Sequence, residues 1–315
     1  MAVIRRAACQ DGPTGRERRV LETHLAAHIA KGAVDAPSGE RRMATTEELA
    51  KLPDWAGPPF RRFLEDQRQV LIFYHLAIEG ISIIYYRFQR VEELAEELKK
   101  LNEKSGIESA HEPDEIKEHE EMKKRAEYAR REAEQGFPVL NEQATVDLWS
   151  SLETLVTELV AGWIENVPGA KQSEAVRKVR IRLADYEAMS AEERSFYLID
   201  ELERDLGAPL RQGVNRFEVL LTLFGLSGEL EDDLRRELFE LSHVRNVIVH
   251  RRGIADRKLV DACPWLALNT GDRVTVTSDA HHRYFDAVHA YGTVLVNRVN
   301  RYFGVPDDSP AAENL

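Results

Sequence analysis

The chain has 315 residues, of which 43% are hydrophobic and 31% charged, and its formal net charge is -12 at pH 7. This length and apolar content are enough for one large domain or two modest ones with a real core. The negative charge argues against a protein that coats nucleic acid indiscriminately, because such binding depends on neutralising phosphates. Cys9 and Cys263 are too few for a disulfide framework or a cysteine-based zinc site, and they favour a reducing, cytoplasmic location.

Both ends of the chain are predicted to lie outside the folded core. Residues 1–45 are rich in Arg, Ala and Gly with weak periodicity, which predicts a poorly ordered extension. Met43 is an alternative start to Met1, and residues 1–20 contain no apolar stretch typical of a secretory signal. Residues 304–315 are predicted to be a flexible tail.

Residues 46–140 are predicted to be a helical region. The longest apolar run of the chain, Val70–Tyr86, lies in it and is interrupted by a histidine, a glutamate and a glycine. A helix that spans a bilayer needs about 20 mostly apolar residues, so this run is marginal for a membrane. We therefore predict a buried helix and no membrane partner.

A strongly charged segment follows at residues 90–135, with fifteen acidic and ten basic residues. Such a density of charge cannot fill a core. It predicts a projecting helical hairpin or a partly ordered arm, with its turn marked by Gly106 and Pro113.

Residues 141–303 show the pattern of a helical bundle. Apolar residues recur there at three- and four-residue steps, as in a core helix: Val146, Trp149, Leu152, Leu155, Val156, Leu159 and Trp163. Ser190 and Glu193 have the spacing of a capping box and predict a helix start. Residues 265–277 favour two short strands around a turn, and the final helix is predicted over 278–302.

The most informative motif is Glu240–Gly253, which contains Arg245, Asn246 and His250 at the end of an apolar helix. An imidazole exchanges protons near neutral pH, and a guanidinium binds phosphate oxygens with two parallel hydrogen bonds. Together they are the minimum equipment for phosphodiester cleavage without a metal. Residues 241–258 contain five basic residues and one acid, so positive charge gathers around the motif.

The run Leu-x-x-x-Arg-Asn-x-x-x-His-x-x-Gly-x-x-Asp, which ends at Asp256, resembles the signature of the HEPN ribonuclease domains. The likeness covers about residues 141–303 and is greatest to the branch with a small hairpin before the last helix. It implies an all-α fold: a HEPN-like helical bundle with a short β-hairpin, here preceded by N-terminal helices and a charged helical arm.

The resemblance also implies an activity and the roles of individual residues. RNA would be cleaved without metal or cofactor by attack of the ribose 2'-hydroxyl, which leaves a 2',3'-cyclic phosphate, in a toxin or antiviral-defence role. His250 would act as general acid and base, Arg245 would stabilise the charge on the phosphate, and Asn246 would position the phosphate or the imidazole. The residues expected to contact RNA are Ser242, Arg251, Arg252, Arg257 and Lys258.

Helix geometry adds a constraint, because Arg245 and His250 lie about 140° apart around a straight helix. Either the helix loosens at His250, or two copies of the motif meet across a twofold axis. The resemblance implies the second case, a homodimer with a composite site. An antitoxin or regulatory protein is a further expected partner, although Arg252 stands where some family members carry a modifiable tyrosine.

Other interpretations of these residues stay open. The motif is also compatible with an ordinary helix end that carries capping cations, or with a catalytically silent scaffold whose charged arm binds RNA or a protein. Two groups of residues have a superficial likeness to metal sites: the histidines His281, His282 and His289, and the cluster between His111 and His119. We interpret the histidines as an accessory RNA contact or as simple surface residues, and the cluster as a solvated face, and we predict no metal site.

Overall fold

The structure is a computed structural model that describes residues 44–106, 113–207 and 212–305. Its helices, numbered in chain order, are α1 Thr46–Ala50, α2 Gly57–Ser105, α3 Pro113–Glu134, α4 Pro138–Asn166, α5 Glu174–Lys178, α6 Leu183–Ala188, α7 Ala191–Asp205, α8 Asn215–Thr222, α9 Asp232–Arg251, α10 Arg257–Ala262 and α11 Ser278–Tyr302. None of the described residues belongs to a β-strand, and the predicted all-α class is confirmed.

Helix α4 lies at the centre of the bundle and contacts α2, α7, α9 and α11. The residues of its predicted stripe are buried from Trp149 to Trp163, whereas Val146, at the start of the stripe, is partly exposed. Leucines of α9 and valines of α11 complete the same core. Burial of this many apolar side chains is the main force that holds the helices together.

Local sequence signals fix several helix ends. The hydroxyl of Ser190 accepts a hydrogen bond from the N–H of Glu193, whose carboxylate accepts one from the N–H of Ser190, so the predicted capping box is confirmed. The last helix has the predicted bounds and is capped by the hydroxyl of Thr277. Residues 179–182, which separate the short helices α5 and α6 and include two of the four basic residues at 177–182, are not helical.

The charged arm is a pair of helices, because the second half of α2 packs against α3. Helix α2 ends before Gly106, which adopts a left-handed conformation with φ +66°. Residues 107–112, which join the two helices, lie outside the described residues.

The prediction of a buried helix at Val70–Tyr86 is wrong for most of that run. Tyr74 and Ile78 are buried, whereas six of its large apolar side chains are exposed: Leu71, Ile72, Phe73, Leu76, Ile83 and Ile84. Within the described part of the chain, α2 alone is long and apolar enough to cross a membrane by length and composition. The sequence shows that the run is apolar, but not what covers it.

The predicted hairpin at residues 265–277 is not confirmed. Residues 264–266 form a 3-10 turn, and an isolated antiparallel bridge joins Arg273 to Ile254 in the segment that follows α9. Backbone hydrogen bonds from Val274 to Gly253 and from Ala255 to Asp272 extend this pairing. The extended segment therefore braces the exit of the motif helix.

The predicted segments 1–45 and 304–315 lie almost wholly outside the described residues. The described residues all fall in one compact unit. Within it, α4 begins at Pro138, close to the boundary that the sequence places between residues 140 and 141.

Candidate functional site

The motif covers the last three turns of α9, from Glu240 to Arg251, and the two residues that follow the helix. Acidic Asp232 and Asp233 lie in the first turn of this helix and basic His250 and Arg251 in its last turn, which suits the helix dipole. The inner face buries Leu234, Leu238, Leu241, Val244 and Val247. Arg245, Asn246 and His250 are thereby placed on the flanks and outer face of a fixed helix.

Arg245 turns toward α4 and forms an ion pair with Glu153, with 3.6 Å between Nη2 and Oε2. Its Nη1 donates to the side-chain oxygen of Asn246 at 3.3 Å. Its Nε is buried and makes no hydrogen bond within the described part of the chain. The side chain is 21% exposed, so Arg245 is partly accessible but already has an anionic neighbour.

Glu153 is shared between two arginines. Arg216 of α8 donates from Nη1 to Glu153 at 2.7 Å and from Nη2 to Glu203 of α7 at 2.8 Å. Burial alone would lower the pKa of Arg216, but the hydrogen bonds and charges of the two glutamates outweigh it and raise that pKa. Helices α4, α7, α8 and α9 are therefore joined around Arg245 by one network of charges.

His250 lies on another side of α9 and is exposed. The helix stays regular through Arg251, so the helix does not loosen at His250. The N–H groups of Arg252 and Gly253, with φ +55° and +74°, donate to the carbonyl of Val247 beyond that point. Arg245 and His250 are thus not brought together within one chain.

The surface around His250 has both polar and apolar side chains. Asn246 is exposed and precedes His250 by about one helical turn. Val249 and Ile254, on either side of His250 in the sequence, are 45% and 42% exposed. A partner that binds here would bury both of these apolar side chains.

The four basic residues predicted to contact RNA are all exposed: Arg251, Arg252, Arg257 and Lys258. Two of them have acidic neighbours, since Arg251 is 3.8 Å from Asp256 and Arg257 is 3.3 Å from Asp261. Exposed pairs of this kind are weak and exchange readily for another anion. The surface therefore still suits a phosphate backbone.

Ser242, the fifth predicted RNA contact, is buried and donates its hydroxyl hydrogen to the carbonyl of Phe239. The structure therefore places it away from any surface that RNA could reach. Its neighbour His243 is also buried, and burial lowers the pKa of that imidazole. The burial of both residues follows from their position, because residues 242 and 243 lie on the inner side of α9.

Two polar clusters that sequence analysis missed hold the motif helix in place. Arg273 donates to both carboxylate oxygens of Glu142, at 3.0 and 2.8 Å, and to the carbonyl of Arg252 at 2.8 Å. Its guanidinium also covers Gly253, where an added Cβ would lie 3.0 Å from Cζ. The end of α9 is therefore tied to the start of α4. The close approach of the Arg273 guanidinium and the left-handed φ of +74° both favour glycine at position 253.

The second cluster surrounds Glu240, a buried carboxylate in the middle of α9. It accepts hydrogen bonds from the Tyr284 hydroxyl at 2.7 Å and from the Trp265 indole N–H. Burial, followed by the charge of Glu240, raises the pKa of the Cys263 thiol to about 12. Cys263 therefore stays a neutral thiol and is unsuited to nucleophilic chemistry.

The interpretation of the three histidines as surface residues is wrong for His281 and His289, because both are buried. Within the described ranges, no group of three histidine, cysteine, aspartate or glutamate side chains could hold a metal ion. His281 stacks on Tyr74 and His289 packs against Phe63 and Phe285, and burial lowers the pKa of both histidines to about 4. His111 lies outside the described residues.

Compared with protein-family models, with curated proteins and with solved structures, the chain matches none of them. The case for a function therefore depends on the residues of α9 and their surroundings. One side of this helix carries Arg245, and another carries His250 with Asn246 one turn before it and a group of exposed cations nearby.

Proposed function

We propose that this protein is a metal-independent endoribonuclease of the toxin or antiviral-defence kind, as the resemblance to HEPN domains implies. The observation that carries the proposal is the exposed His250 at the end of α9, one turn from the exposed Asn246 and among four exposed cations. Accessible imidazole, amide and guanidinium groups on one rigid helix are the elements that such a reaction needs.

The reaction proceeds by intramolecular displacement at phosphorus. His250 accepts the proton of the ribose 2'-hydroxyl, the 2'-oxygen bonds to the adjacent phosphorus, and the bond from phosphorus to the 5'-oxygen breaks. The departing 5'-oxygen takes up a proton from the His250 imidazolium, which returns the imidazole to its neutral form. The products are a 2',3'-cyclic phosphate and a 5'-hydroxyl, and Arg245 stabilises the negative charge that grows on the phosphate oxygens.

The site combines residues of two chains. In one chain Arg245 and His250 point about 140° apart, and the regular end of α9 prevents their convergence. In a twofold dimer, Arg245 of one chain meets His250 of the other, and the same contact occurs twice. The exposed Val249 and Ile254 beside His250 supply apolar surface for this contact.

The proposal is tested by incubating labelled tRNA and mRNA with the full chain in EDTA. The variants are His250→Ala and Arg245→Ala, and Arg235→Ala is the control because it removes an exposed arginine from the other end of the same helix. We expect cyclic-phosphate ends from the wild-type chain and the control, and none from the two motif variants. Cleavage that survives both motif variants would contradict the proposal.

A catalytically silent scaffold that binds RNA or a protein is the second candidate. It is favoured by the ion pairs that Arg245, Arg251 and Arg257 already make, and by the exposed apolar surface of α2. In that case the wild-type chain is inert toward every RNA, expression is harmless, and a regulatory protein co-purifies with it. Toxicity that His250→Ala abolishes instead favours the nuclease.

A further inference from the structure

The outer face of α2 carries a long row of exposed apolar side chains. We call this row the α2 seam; its apolar members, 40–68% exposed, are Phe73, Leu76, Ile83, Val91, Leu94, Leu98 and Leu101. With Gly80 and Arg87 they recur at steps of three and four residues over the whole length. A sustained repeat of this kind is the pattern of a coiled-coil contact.

None of the residues that the structure describes covers the α2 seam. Tyr74 and Ile78 mark the inner face of α2 and are buried. Leu76 and Leu94 both lie about 200° around the helix from Tyr74, so they point away from the bundle. An added Cβ at Gly80 would meet no atom within 4 Å, which leaves room for a neighbouring helix.

We propose that the α2 seam is an interface with a second copy of this chain, in which the two α2 helices pack antiparallel. From Phe73 to Leu101 the seam is about 42 Å long. With the exposed Ile72 and Ile84 at its edges, it offers an area on the order of the roughly 800 Å² per partner that a stable interface buries. The α2 helix of a second copy has the same repeat, and a second copy is available wherever this protein is present.

Charges along the seam select the antiparallel arrangement. Parallel helices in register would place Arg87 of one copy against Arg87 of the other, and like charges repel. In an antiparallel pair, the side of one helix that flanks the seam lies opposite the same side of the other helix. That flank carries Arg90, Glu97 and Lys104 at seven-residue intervals with alternating sign. Arg90 can therefore face Glu97 of the second copy, twice, while Arg87 lies opposite an apolar residue.

In the single chain Arg90 pairs with Glu93 of its own helix at 2.8 Å. Both side chains are more than half exposed, so this pair is weak and does not prevent exchange for the neighbouring Glu97.

A lipid surface fits the α2 seam less well than a second copy does. Glutamates 79, 93 and 97 lie along the seam, and the chain carries a net charge of -12, so an anionic bilayer repels it. A spanning arrangement would have to remove α2 from its contacts with α3 and α4. The narrow heptad-spaced stripe is typical of helix pairing instead.

The test is the molar mass of the full chain at micromolar concentration, measured by sedimentation velocity. The variants are Leu76→Glu and Leu94→Glu, and Leu183→Glu is the control because Leu183 is 63% exposed but lies on α6. We expect a dimer or larger assembly for wild type and control, and at least tenfold weaker association for each seam variant. Circular dichroism checks that helix content is unchanged.

A monomeric wild-type chain, or seam variants that keep the wild-type mass, would overturn the proposal. Binding of a monomeric wild-type chain to anionic vesicles, abolished in Leu76→Glu, would assign the seam to lipid. None of these readouts needs RNA or catalysis. A monomeric wild-type chain would also contradict the two-chain site proposed at α9, whereas the seam variants leave α9 unchanged, so a change of mass in these variants reports on the α2 seam alone.

The relative orientation of the two α2 helices is determined by cysteine crosslinking with a short bifunctional maleimide. The wild-type chain gives the background level of crosslinking. When Arg90 lies level with Glu97 of the other copy, residues 94 of the two copies are about 1.5 Å apart along the helix axis and residues 101 are about 22 Å apart. We expect Leu94→Cys to crosslink and Leu101→Cys not to do so. Crosslinking of both variants would show a parallel pair and overturn the antiparallel arrangement.

Discussion

Glu153 of α4 and Arg245 of α9 form an ion pair with 3.6 Å between Oε2 and Nη2, and the same carboxylate accepts a 2.7 Å hydrogen bond from Arg216. Arg245 is thus fixed in direction, but an anion already lies beside it. RNA that uses Arg245 must compete with Glu153 for the guanidinium.

Removal of the charge at Glu153 tests this competition. We expect Glu153→Gln to bind RNA several-fold more tightly than the wild-type chain, because the phosphate no longer competes with a carboxylate. Unfolding should become easier by roughly 1–3 kcal/mol, since Arg216 and Arg245 each lose an ionic partner. The measurements are the Kd for a 2'-deoxy substrate analogue, which cannot be cleaved, and urea denaturation.

The control is Glu158→Gln, because Glu158 lies on the same helix but pairs with the exposed Arg62. It should leave RNA affinity unchanged. Weaker binding by Glu153→Gln would show that Glu153 only positions Arg245 and does not compete with RNA.

One substitution at the end of α9 is expected to stabilise the fold. Arg252 has φ +55°, a left-handed conformation that costs a residue with a side chain about 1 kcal/mol relative to glycine. We expect Arg252→Gly to raise the free energy of unfolding by about that amount. Arg251→Gly, one residue earlier and still helical, should lower it by roughly 0.5–1 kcal/mol. Equal effects of the two changes in denaturant titrations would refute this account of the helix end.

Two buried histidines predict a loss of stability in acid. Burial lowers the pKa of His281 and His289 to about 4, whereas unfolded histidine titrates near 6.5. The unfolded chain therefore binds more protons between these values, so stability is full above about pH 6.5 and falls as pH drops toward 4. The loss is up to about 3 kcal/mol for each histidine.

The measurement is urea denaturation between pH 4 and 7. A variant with His281→Gln and His289→Gln should show a shallower dependence on pH, because neither glutamine takes up a proton. A dependence as steep as that of the wild-type chain would assign the acid sensitivity to other groups.

Sequence analysis located features that depend on nearby residues. The capping box at Ser190, the stripe of α4 and the bounds of α11 follow from propensity and periodicity within one helix. The same reasoning placed Arg245 and His250 on different sides of α9, because their separation depends only on helix geometry.

Features that depend on distant partners could not be predicted. Glu153 and Arg216 are 63 residues apart, and no local pattern brings them together around Arg245. Arg273 was expected in a hairpin, but it pairs with the segment after α9 and with Glu142. The apolar run of α2 was expected to be buried, because periodicity reveals an apolar face but not its partner.

The most direct test of the composite site is to mix two inactive variants. Arg245→Ala and His250→Ala chains, refolded together from denaturant, should recover RNA cleavage in EDTA, because each mixed dimer contains one site with both residues. Each variant alone should stay inactive. No recovery in a mixture shown to contain mixed dimers, while the wild-type chain cleaves RNA, would contradict a site shared between two chains.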